Sequence, residues 1–276
     1  MDASRHTLRE RARARGLSLL ECEPWSEVAD RASLLLLDPP NVEWAIETEP
    51  ATLWLIVERE LVRHLPKTAH DALQRERVLI ERHRGPGEVA IDLVAFTEEG
   101  VNDLIEGISR RSLEARWGVT HAEPLRDKMR RQERLAAQAA SLPEGALERV
   151  IRPLYLQSVA ATAALGAVAS GDAASLLAAA GEAAGSLARL ACVIESGSHP
   201  PPRHLLLAAR ETALGRRLAT WLDDLPLLLA GDEAAGRRIA GSRDQVIEET
   251  TRLLGPQFRH SPWLQDPTSY ALRSPR

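Results

Sequence analysis

The spacing of hydrophobic and polar positions changes near residue 142 of this chain. Before that point, short apolar runs of strand length alternate with polar segments of helical spacing, and turn residues separate them. After it, apolar and small residues recur at helical spacing almost without a break as far as residue 255. The pattern predicts an α+β protein, in which residues 1–142 form a mixed sheet with helices and residues 143–255 form an α-helical bundle. The Pro-rich residues 256–276 are predicted to form a tail over the surface.

Several apolar runs in the first region have the length of strands. RVLIERHRGPG (77–87) ends in a Gly-Pro-Gly turn. This turn predicts an antiparallel hairpin between residues 77–87 and the next run, residues 88–97. The Arg-rich segment at the beginning of the sequence is predicted to be a helix. The other predicted strands are SLLLLD (33–38), TLWLIVE (52–58), EVAIDLVAFT (88–97) and WGVTHAEPLRD (117–127).

The second region is predicted to contain four or five helices. The first of them begins at a Pro-Glu pair, residues 143–144, and ends at a Gly-Asp pair, residues 171–172. A second alanine-rich helix follows, and SHPPPR (198–203) is a rigid connector to the later ones. Alanine and glycine at facing positions let helices approach closely, so these helices are expected to form a bundle.

Composition argues against several classes of partner. The 276 residues carry a formal net charge of −4, so the chain lacks the basic surface of a typical nucleic-acid-binding protein. Cys22 and Cys192 are far apart and lack metal-ligand spacing, which indicates a reducing compartment and no disulfide framework. No run approaches the roughly 18 consecutive apolar residues of a membrane span, and the N-terminal segment lacks the apolar core of a signal peptide. We therefore expect a cytoplasmic protein without nucleic acid or membrane as partner, and homodimerisation stays open.

Two features of the first region resemble a known family. Residues 34–58, LLLLDPPNVEWAIETEPATLWLIVE, form a strand, loop, strand unit, and Asp92 lies within the apolar run VAIDLVAF. With the alanine-rich helices that follow, this order resembles the kanamycin nucleotidyltransferase type of the nucleotidyltransferase superfamily. In that family, Gly-Ser ends the first strand, Asp-x-Asp begins the second, and a neighbouring strand carries a third carboxylate. The three carboxylates bind Mg²⁺, which holds the nucleotide triphosphate for in-line transfer.

The family's metal and phosphate residues are mostly replaced in this chain. Aligned without a gap, Asp38 and Pro39 stand in place of Gly-Ser, and Pro50 and Thr52 stand in place of the two aspartates. Only Asp92 keeps its equivalent. Proline has no N–H to offer a phosphate, and neither proline nor threonine supplies the negative charge that holds a hard cation. We therefore expect that ordinary nucleotidyl transfer is lost, and that the protein uses neither a metal nor a cofactor.

The remaining polar residues near the expected cleft define a candidate site. Asp92 is a candidate acid or base, because a carboxylate in an apolar strand either belongs to a site or is paired structurally, for instance with a nearby arginine. His121 and Glu123 alternate onto one face of the last predicted strand, which fits proton transfer or an ordinary exposed pair. Tyr155 is expected to donate a hydrogen bond from the first bundle helix. The candidate substrate-binding residues are Trp44, Glu47, Glu49, Thr52 and Gln157, the last as a replacement for the family's general-base glutamate, a position that Glu148 also fits.

Three functions follow from these residues. The one favoured by the sequence is a metal- and nucleotide-independent enzyme that applies acid–base catalysis to a small organic substrate in the cleft between sheet domain and bundle. The first alternative is a pseudoenzyme that binds a ligand or partner without turnover. The second is residual nucleotidyl transfer to a small-molecule hydroxyl through Glu47, Glu49 and Asp92. Convergence of Asp92, His121 and Tyr155 on one pocket would favour catalysis.

Overall fold

A computed structural model describes residues 3–37, 50–168 and 173–273. The chain divides into two compact units, Met1–Ser141 and Leu142–Arg276. In the first unit, the strands are β1 (Ser33–Leu36), β2 (Ala51–Val57), β3 (Val78–His83), β4 (Ile91–Thr97) and β5 (Glu123–Arg126). Its helices are α1 (Ala3–Glu21), α2 (Arg59–Val62), α3 (Lys67–Arg75), α4 (Glu98–Glu106), α5 (Arg110–His121) and α6 (Arg131–Ala139), with a short 3₁₀ helix at Trp25–Glu27.

The five strands form one mixed sheet in the order β3-β4-β2-β1-β5. The central strands β2 and β4 are parallel, and every other neighbouring pair is antiparallel. The predicted hairpin at the Gly-Pro-Gly turn is present, because β3 and β4 pair across it. A mixed sheet with helices, followed by a helical second unit, confirms the α+β class predicted from the sequence.

The two faces of this sheet pack against different helices. Successive residues of a strand point to opposite faces, so each central strand contributes to both. On the face that we call the α1 face, Leu34, Leu53 and Leu93 pack with residues of α1, α2 and α3. On the opposite face, called the α5 face, Trp54 and Phe96 pack with residues of α4, α5 and α6. Each fully buried side chain of this size contributes about 2 kcal/mol, so burial on both faces fixes the central strands firmly.

One segment predicted as a strand is mostly helical. Helix α5 continues through His121, and only Glu123–Arg126 pair as β5. Ser109 begins the helix as an N-cap, since its side chain accepts a hydrogen bond from the Ser112 amide. Ala115 and Val119 then lie four residues apart and bury the same side of α5 in the core of the α5 face. This tertiary packing overrides the strand preference of the aromatic and β-branched residues in the segment.

The second unit consists of helices in the part that the structure describes. Small residues of α8 pack with α7 and the later helices in one apolar core, as expected for a bundle. Residues Ala174–Ser196 of α8 are long and apolar enough to span a membrane, and 56% of the most apolar window is buried inside the structure, as in the core helix of a bundle. The helices are α7 (Ala146–Val168), α8 (Ala173–Ser196), α9 (Pro202–Glu211), α10 (Ala213–Arg217), α11 (Ala219–Leu229), α12 (Glu233–Gly241), α13 (Arg243–Phe258), α14 (Pro262–Gln265) and α15 (Pro267–Arg273).

The structure corrects the prediction of a surface tail over residues 256–276 for the part that it describes, residues 256–273. Pro262 and Pro267 occupy the first positions of α14 and α15, where proline begins a helix and does not break it. Trp263 between them is buried, with its ring centroid 5.6 Å from that of Tyr155 and 5.3 Å from that of Phe258. Phe258, Trp263 and Leu264 therefore join the core of the second unit, and they anchor a segment whose other described side chains are exposed or half-buried.

Candidate functional site

Thr52 and Asp92 are neighbours in the sheet. They lie directly opposite each other in the parallel pair of β2 and β4, about 4.8 Å apart by the usual spacing of strands. The amide of Leu37 donates to the Thr52 carbonyl at 3.0 Å, so the hydrogen bonding between β1 and β2 continues as far as Thr52. Because Trp54 and Phe96 face α5, Thr52 and Asp92 lie on the same face by strand alternation. A carboxylate at position 52 would thus lie beside that of Asp92.

The carboxylate of Asp92 is paired with a guanidinium. Arg84 donates from Nη2 to Oδ1 of Asp92 at 2.7 Å, and from Nη1 to the Ile91 carbonyl at 2.9 Å. The arginine follows β3, so the hairpin turn brings it back over the beginning of β4. Asp92 still exposes 28% of its side chain. The ion pair with a nearby arginine, one of the two readings of Asp92, is therefore present, and the carboxylate stays accessible.

The sheet around Asp92 is only partly covered by the helices of the first unit. Residues directly opposite one another share a face, so Ile80 and Arg82 of β3 lie on the α5 face beside Val94 and Asp92. Ile80 exposes 55% of its surface, Arg82 is exposed, and Val94 and Thr52 are half-buried. We call these five residues the open sheet patch. It combines apolar surface with charges of both signs.

Glu123 lies on the other face of the sheet. It pairs with Leu36 of β1, which packs in the core of the α1 face. Arg9 approaches its Oε2 at 2.5 Å and Arg13 its Oε1 at 2.7 Å, both from α1. Burial alone would raise the pKa of Glu123, but the two guanidiniums outweigh it and hold that pKa below the ordinary value. Glu123 is a paired anion on the face opposite Asp92.

The sequence predicts that His121 and Glu123 share one face of a strand, and the structure contradicts this. His121 is the last residue of helix α5. Its imidazole is stacked on the ring of Trp117, with centroids 4.5 Å apart, and its Nδ1 lies 2.8 Å from the Trp117 carbonyl. A positively charged or polar side chain at this position suits the C-terminus of a helix. These contacts hold the His121 imidazole against Trp117 of its own helix.

Tyr155 lies inside the core of the second unit. The side chain is fully buried in α7, and its hydroxyl bonds to Oγ1 of Thr251 at 2.7 Å. Burial raises the pKa of Tyr155, and the hydrogen bond with Thr251 opposes that rise. Of the two other candidates on this helix, Gln157 is exposed, and Glu148 accepts a hydrogen bond from Nε1 of Trp263 at 2.7 Å.

Three of the predicted substrate-binding residues, Trp44, Glu47 and Glu49, lie outside the described residues, as do Asp38 and Pro39. In the part of the chain that the structure does describe, no group of three or more His, Cys, Asp or Glu side chains has an arrangement that holds a metal. The residues at the family's metal positions do not fit Mg²⁺ either, because Thr52 is neutral and the Asp92 carboxylate already bonds to Arg84.

A buried cation at the other end of the sheet was missed from the sequence. Arg131 is only 2% exposed, and its Nη2 lies 2.5 Å from Oε1 of Glu58, while its Nε lies 3.3 Å from Oε2 of Glu98. It also donates from Nη1 to the Arg31 carbonyl at 2.8 Å. Glu58 follows β2 and Glu98 follows β4, so the arginine ties together the carboxyl ends of the two parallel strands. No spacing signal links these residues in the sequence.

Comparisons with known proteins give distant similarity to solved structures and no match of sequence. No family model matches the sequence, and no curated protein matches it either. Among solved structures, the chain is similar to the crystal structure of a nucleotidyltransferase-like protein from Exiguobacterium sibiricum. The sequence identity is 16% and the TM-score is 0.36, over 92% of this chain and 81% of that chain. The geometry around Asp92 therefore has to be interpreted on its own chemistry.

Proposed function

We propose that this protein is a nucleotidyltransferase-like protein in which the metal-dependent reaction is lost, and that its sheet unit serves as a ligand- or partner-binding module. One observation carries the proposal. The position opposite Asp92 in the central parallel pair is Thr52, and the Asp92 carboxylate is bonded to Arg84. The strand positions that resemble a metal site are adjacent, but the charges that a metal requires are missing or neutralised.

The chemistry of Mg²⁺ explains why this change matters. Mg²⁺ gives up its water shell reluctantly and is held in phosphoryl and nucleotidyl transfer by carboxylates together with the phosphates of the substrate. A threonine hydroxyl brings no charge, and Pro50 brings no ligand atom from its side chain. The Arg84 guanidinium at 2.7 Å further cancels the one remaining carboxylate. The site is therefore better suited to bind an organic ligand or a protein surface.

A binding role also fits the arrangement of the other candidates. Proton transfer needs its groups within hydrogen-bond reach of one substrate atom. Glu123 lies on the α1 face, whereas Asp92 lies on the α5 face, and His121 and Tyr155 have partners of their own. The open sheet patch, with its exposed Ile80 beside charged residues, has the mixed composition of a binding surface.

The acid–base enzyme remains a second candidate, because one observation favours it. The Asp92 side chain is 28% exposed, so a substrate can reach it. Turnover of a small molecule by the wild-type protein, detected by mass spectrometry and lost in Asp92→Asn, would support this candidate over the binding module. Ligand binding without turnover would support the module.

Isothermal titration with ATP, in the presence and absence of Mn²⁺ or Mg²⁺, tests the loss of the reaction. We expect no metal-dependent binding to the wild-type protein. The double variant Pro50→Asp/Thr52→Asp places carboxylates at both positions of the family's motif, and we expect it to acquire metal binding that the matched Pro50→Asn/Thr52→Asn variant lacks. Metal-dependent micromolar binding of ATP to the wild type, abolished by Asp92→Asn, would refute the proposal and would favour residual transfer through Glu47, Glu49 and Asp92.

A further inference from the structure

The second unit contains a cavity that the proposed function does not use. Its volume is about 410 Å³, and it lies where the beginning of α11 meets the junction of α12 and α13. This volume falls within the range of about 300–1,000 Å³ that is usual for small-molecule sites. Its walls include Arg217, Trp221, Asp224, Arg238, Gly241 and Gln245.

Apolar side chains form the buried part of the cavity wall. Leu218, Trp221 and Val246 line the cavity and are all buried, and Trp221 is only 4% exposed. The indole Nε1 of Trp221 is buried and has no hydrogen-bond partner among the described residues. Buried indole N–H groups usually have an acceptor, because leaving a buried donor unpaired is costly. Because this nitrogen is itself buried, Trp221 offers the cavity its apolar ring and not its N–H.

The polar part of the wall has a positive balance. Arg217, Arg238 and Asp224 are the charged lining residues, so two positive charges face one negative charge. Asp224 is bound by Arg238 through two contacts, Nη2 to Oδ1 at 2.6 Å and Nε to Oδ2 at 3.0 Å, and this pairing holds the pKa of Asp224 below its ordinary value. Arg217 contacts Glu249 at 3.0 Å, but Glu249 is shared with Arg252.

Two helix junctions contribute backbone to the cavity wall without adding charge. Thr220 and Trp221 belong to the first turn of α11, and Gln245 belongs to the first turn of α13. At each junction one helix ends where the next begins, since Leu218 caps both α10 and α11 and Ser242 caps both α12 and α13. A helix C-terminus therefore meets a helix N-terminus, and their opposite dipole charges largely cancel. Ser242 precedes α13 and lines the cavity, but its hydroxyl donates to the Ile239 carbonyl at 2.9 Å and does not cap the helix.

We propose that this cavity binds a small organic anion, a carboxylate carried on a flat apolar body. The apolar body would lie against Trp221, Leu218 and Val246, and the carboxylate would lie toward Arg217. The inference is independent of the proposed function, because all of its residues belong to the second unit, whereas Asp92 belongs to the first.

Three probes of one shape and different charge test the anion preference of the full-length protein. Benzoate, benzamide and benzylamine have the same ring with charges of −1, 0 and +1 at neutral pH. We expect benzoate to bind saturably by calorimetry and to change a tryptophan fluorescence signal that Trp221→Phe lacks. Arg217→Gln should weaken benzoate binding about tenfold, the usual effect of losing a charged hydrogen bond. Arg216→Gln, which changes the neighbouring arginine outside the cavity, should leave it unchanged.

A second variant separates blocked binding from failed folding. A Cβ added at Gly241 meets no atom within 4 Å, so Gly241→Leu extends into open space at the cavity wall without a backbone clash. It should abolish benzoate binding while far-ultraviolet circular dichroism stays native. Gly181→Leu, at an exposed helical glycine with equally open surroundings, is the matched control and should bind normally. Benzoate that fails to saturate, binds no better than benzamide, or binds Arg217→Gln and Gly241→Leu as well as the wild type would overturn the proposal.

Discussion

Asp92 and Glu123, two carboxylates that the sequence placed in one site, lie on opposite faces of the same sheet. Asp92 is on the α5 face, where Arg84 pairs with it, and Glu123 is on the α1 face, where Arg9 and Arg13 pair with it. Three strand spacings along the order β4-β2-β1-β5, about 14 Å, also separate their strands. Each carboxylate is therefore expected to behave as an independent ion pair.

For Asp92, the pair with Arg84 should contribute little to stability. Both side chains are partly exposed, and ion pairs of this kind are usually worth about 0.5 kcal/mol because solvent screens them. A double-mutant cycle of Arg84→Gln and Asp92→Asn, measured by urea denaturation, should give a coupling energy of about that size. A coupling above about 2 kcal/mol would mean that Asp92 is held structurally, and it would weaken its assignment to a binding patch.

For Glu123, the expected effect depends on pH. The pKa of Glu123 is lowered in the folded protein, so its pairing stabilises the fold above the ordinary pKa of 4.5 and is lost as the pH falls through the folded value. Glu123→Gln should therefore cost about 1–2 kcal/mol of unfolding free energy at pH 7. The difference from the wild type should shrink as the pH falls below the unfolded pKa, and it should disappear only below the lower pKa of the folded protein. Glu114→Gln, which removes an exposed i,i+4 pair with Arg110, is the control and should cost less than about 0.5 kcal/mol.

Tyr155 should show the opposite dependence on pH. Burial raises its pKa, so the neutral phenol stabilises the fold below the ordinary pKa of 10.0, and this contribution is lost as the pH rises toward the folded value. Tyr155→Phe should cost about 1 kcal/mol at pH 7.5 because the hydrogen bond with Thr251 is removed. Denaturation at pH 7.5 and 10.5 should show this cost shrinking at the higher pH. A cost that grows with pH would contradict the placement of Tyr155 in the core.

The sequence predicted the parts of the fold in which burial dominates. β2 and β4 are buried on both faces over their C-terminal halves, so their apolar runs can be recognised without knowledge of their neighbours. It was wrong for residues 117–121, where Trp117 and Val119 favour a strand by residue type but occupy a helix that begins at Ser109. Because of this wrong assignment, His121 and Glu123 were predicted to line the same cleft as Asp92. A strand that begins only at Glu123 has a different register, and register decides which face each side chain takes.

The candidate site was predictable only as far as neighbouring strand positions define it. The adjacency of Thr52 and Asp92 agrees with the positions that the resemblance assigned to the second and third carboxylates. The sequence did not predict that Arg84 pairs with Asp92, because this contact depends on the conformation of the hairpin turn between β3 and β4. The cavity beside Trp221 was not readable either, since it forms where separate helices meet.

Arg131 should be among the most important charged residues for the stability of the first unit. It is the buried cation between Glu58 and Glu98. Without it, Glu58 retains the exposed Arg31 and Glu98 retains the exposed Arg134, but the buried groups that Arg131 satisfies, such as the Arg31 carbonyl, lose their donor. Arg131→Met should lower the free energy of unfolding by about 3 kcal/mol. Arg134→Met removes an exposed arginine that contacts the same Glu98, so it should cost less than about 1 kcal/mol. If the two variants lower the free energy of unfolding equally, Arg131 contributes no more to stability than the exposed Arg134, and the prediction is wrong.

The C-terminal segment should be essential to the second unit, although its sequence resembles a tail. Trp263 packs against Tyr155 and Phe258, and its Nε1 donates to Glu148 at 2.7 Å. Trp263→Ala should therefore cost about 3–5 kcal/mol of unfolding free energy, the usual range for removing a buried aromatic ring. Glu148→Gln keeps an acceptor for the indole and should cost far less, so the pair of variants separates packing from hydrogen bonding. Thermal and urea unfolding of both variants measure the difference, and a Trp263→Ala protein as stable as the wild type would return residues 256–273 to the status of a surface tail.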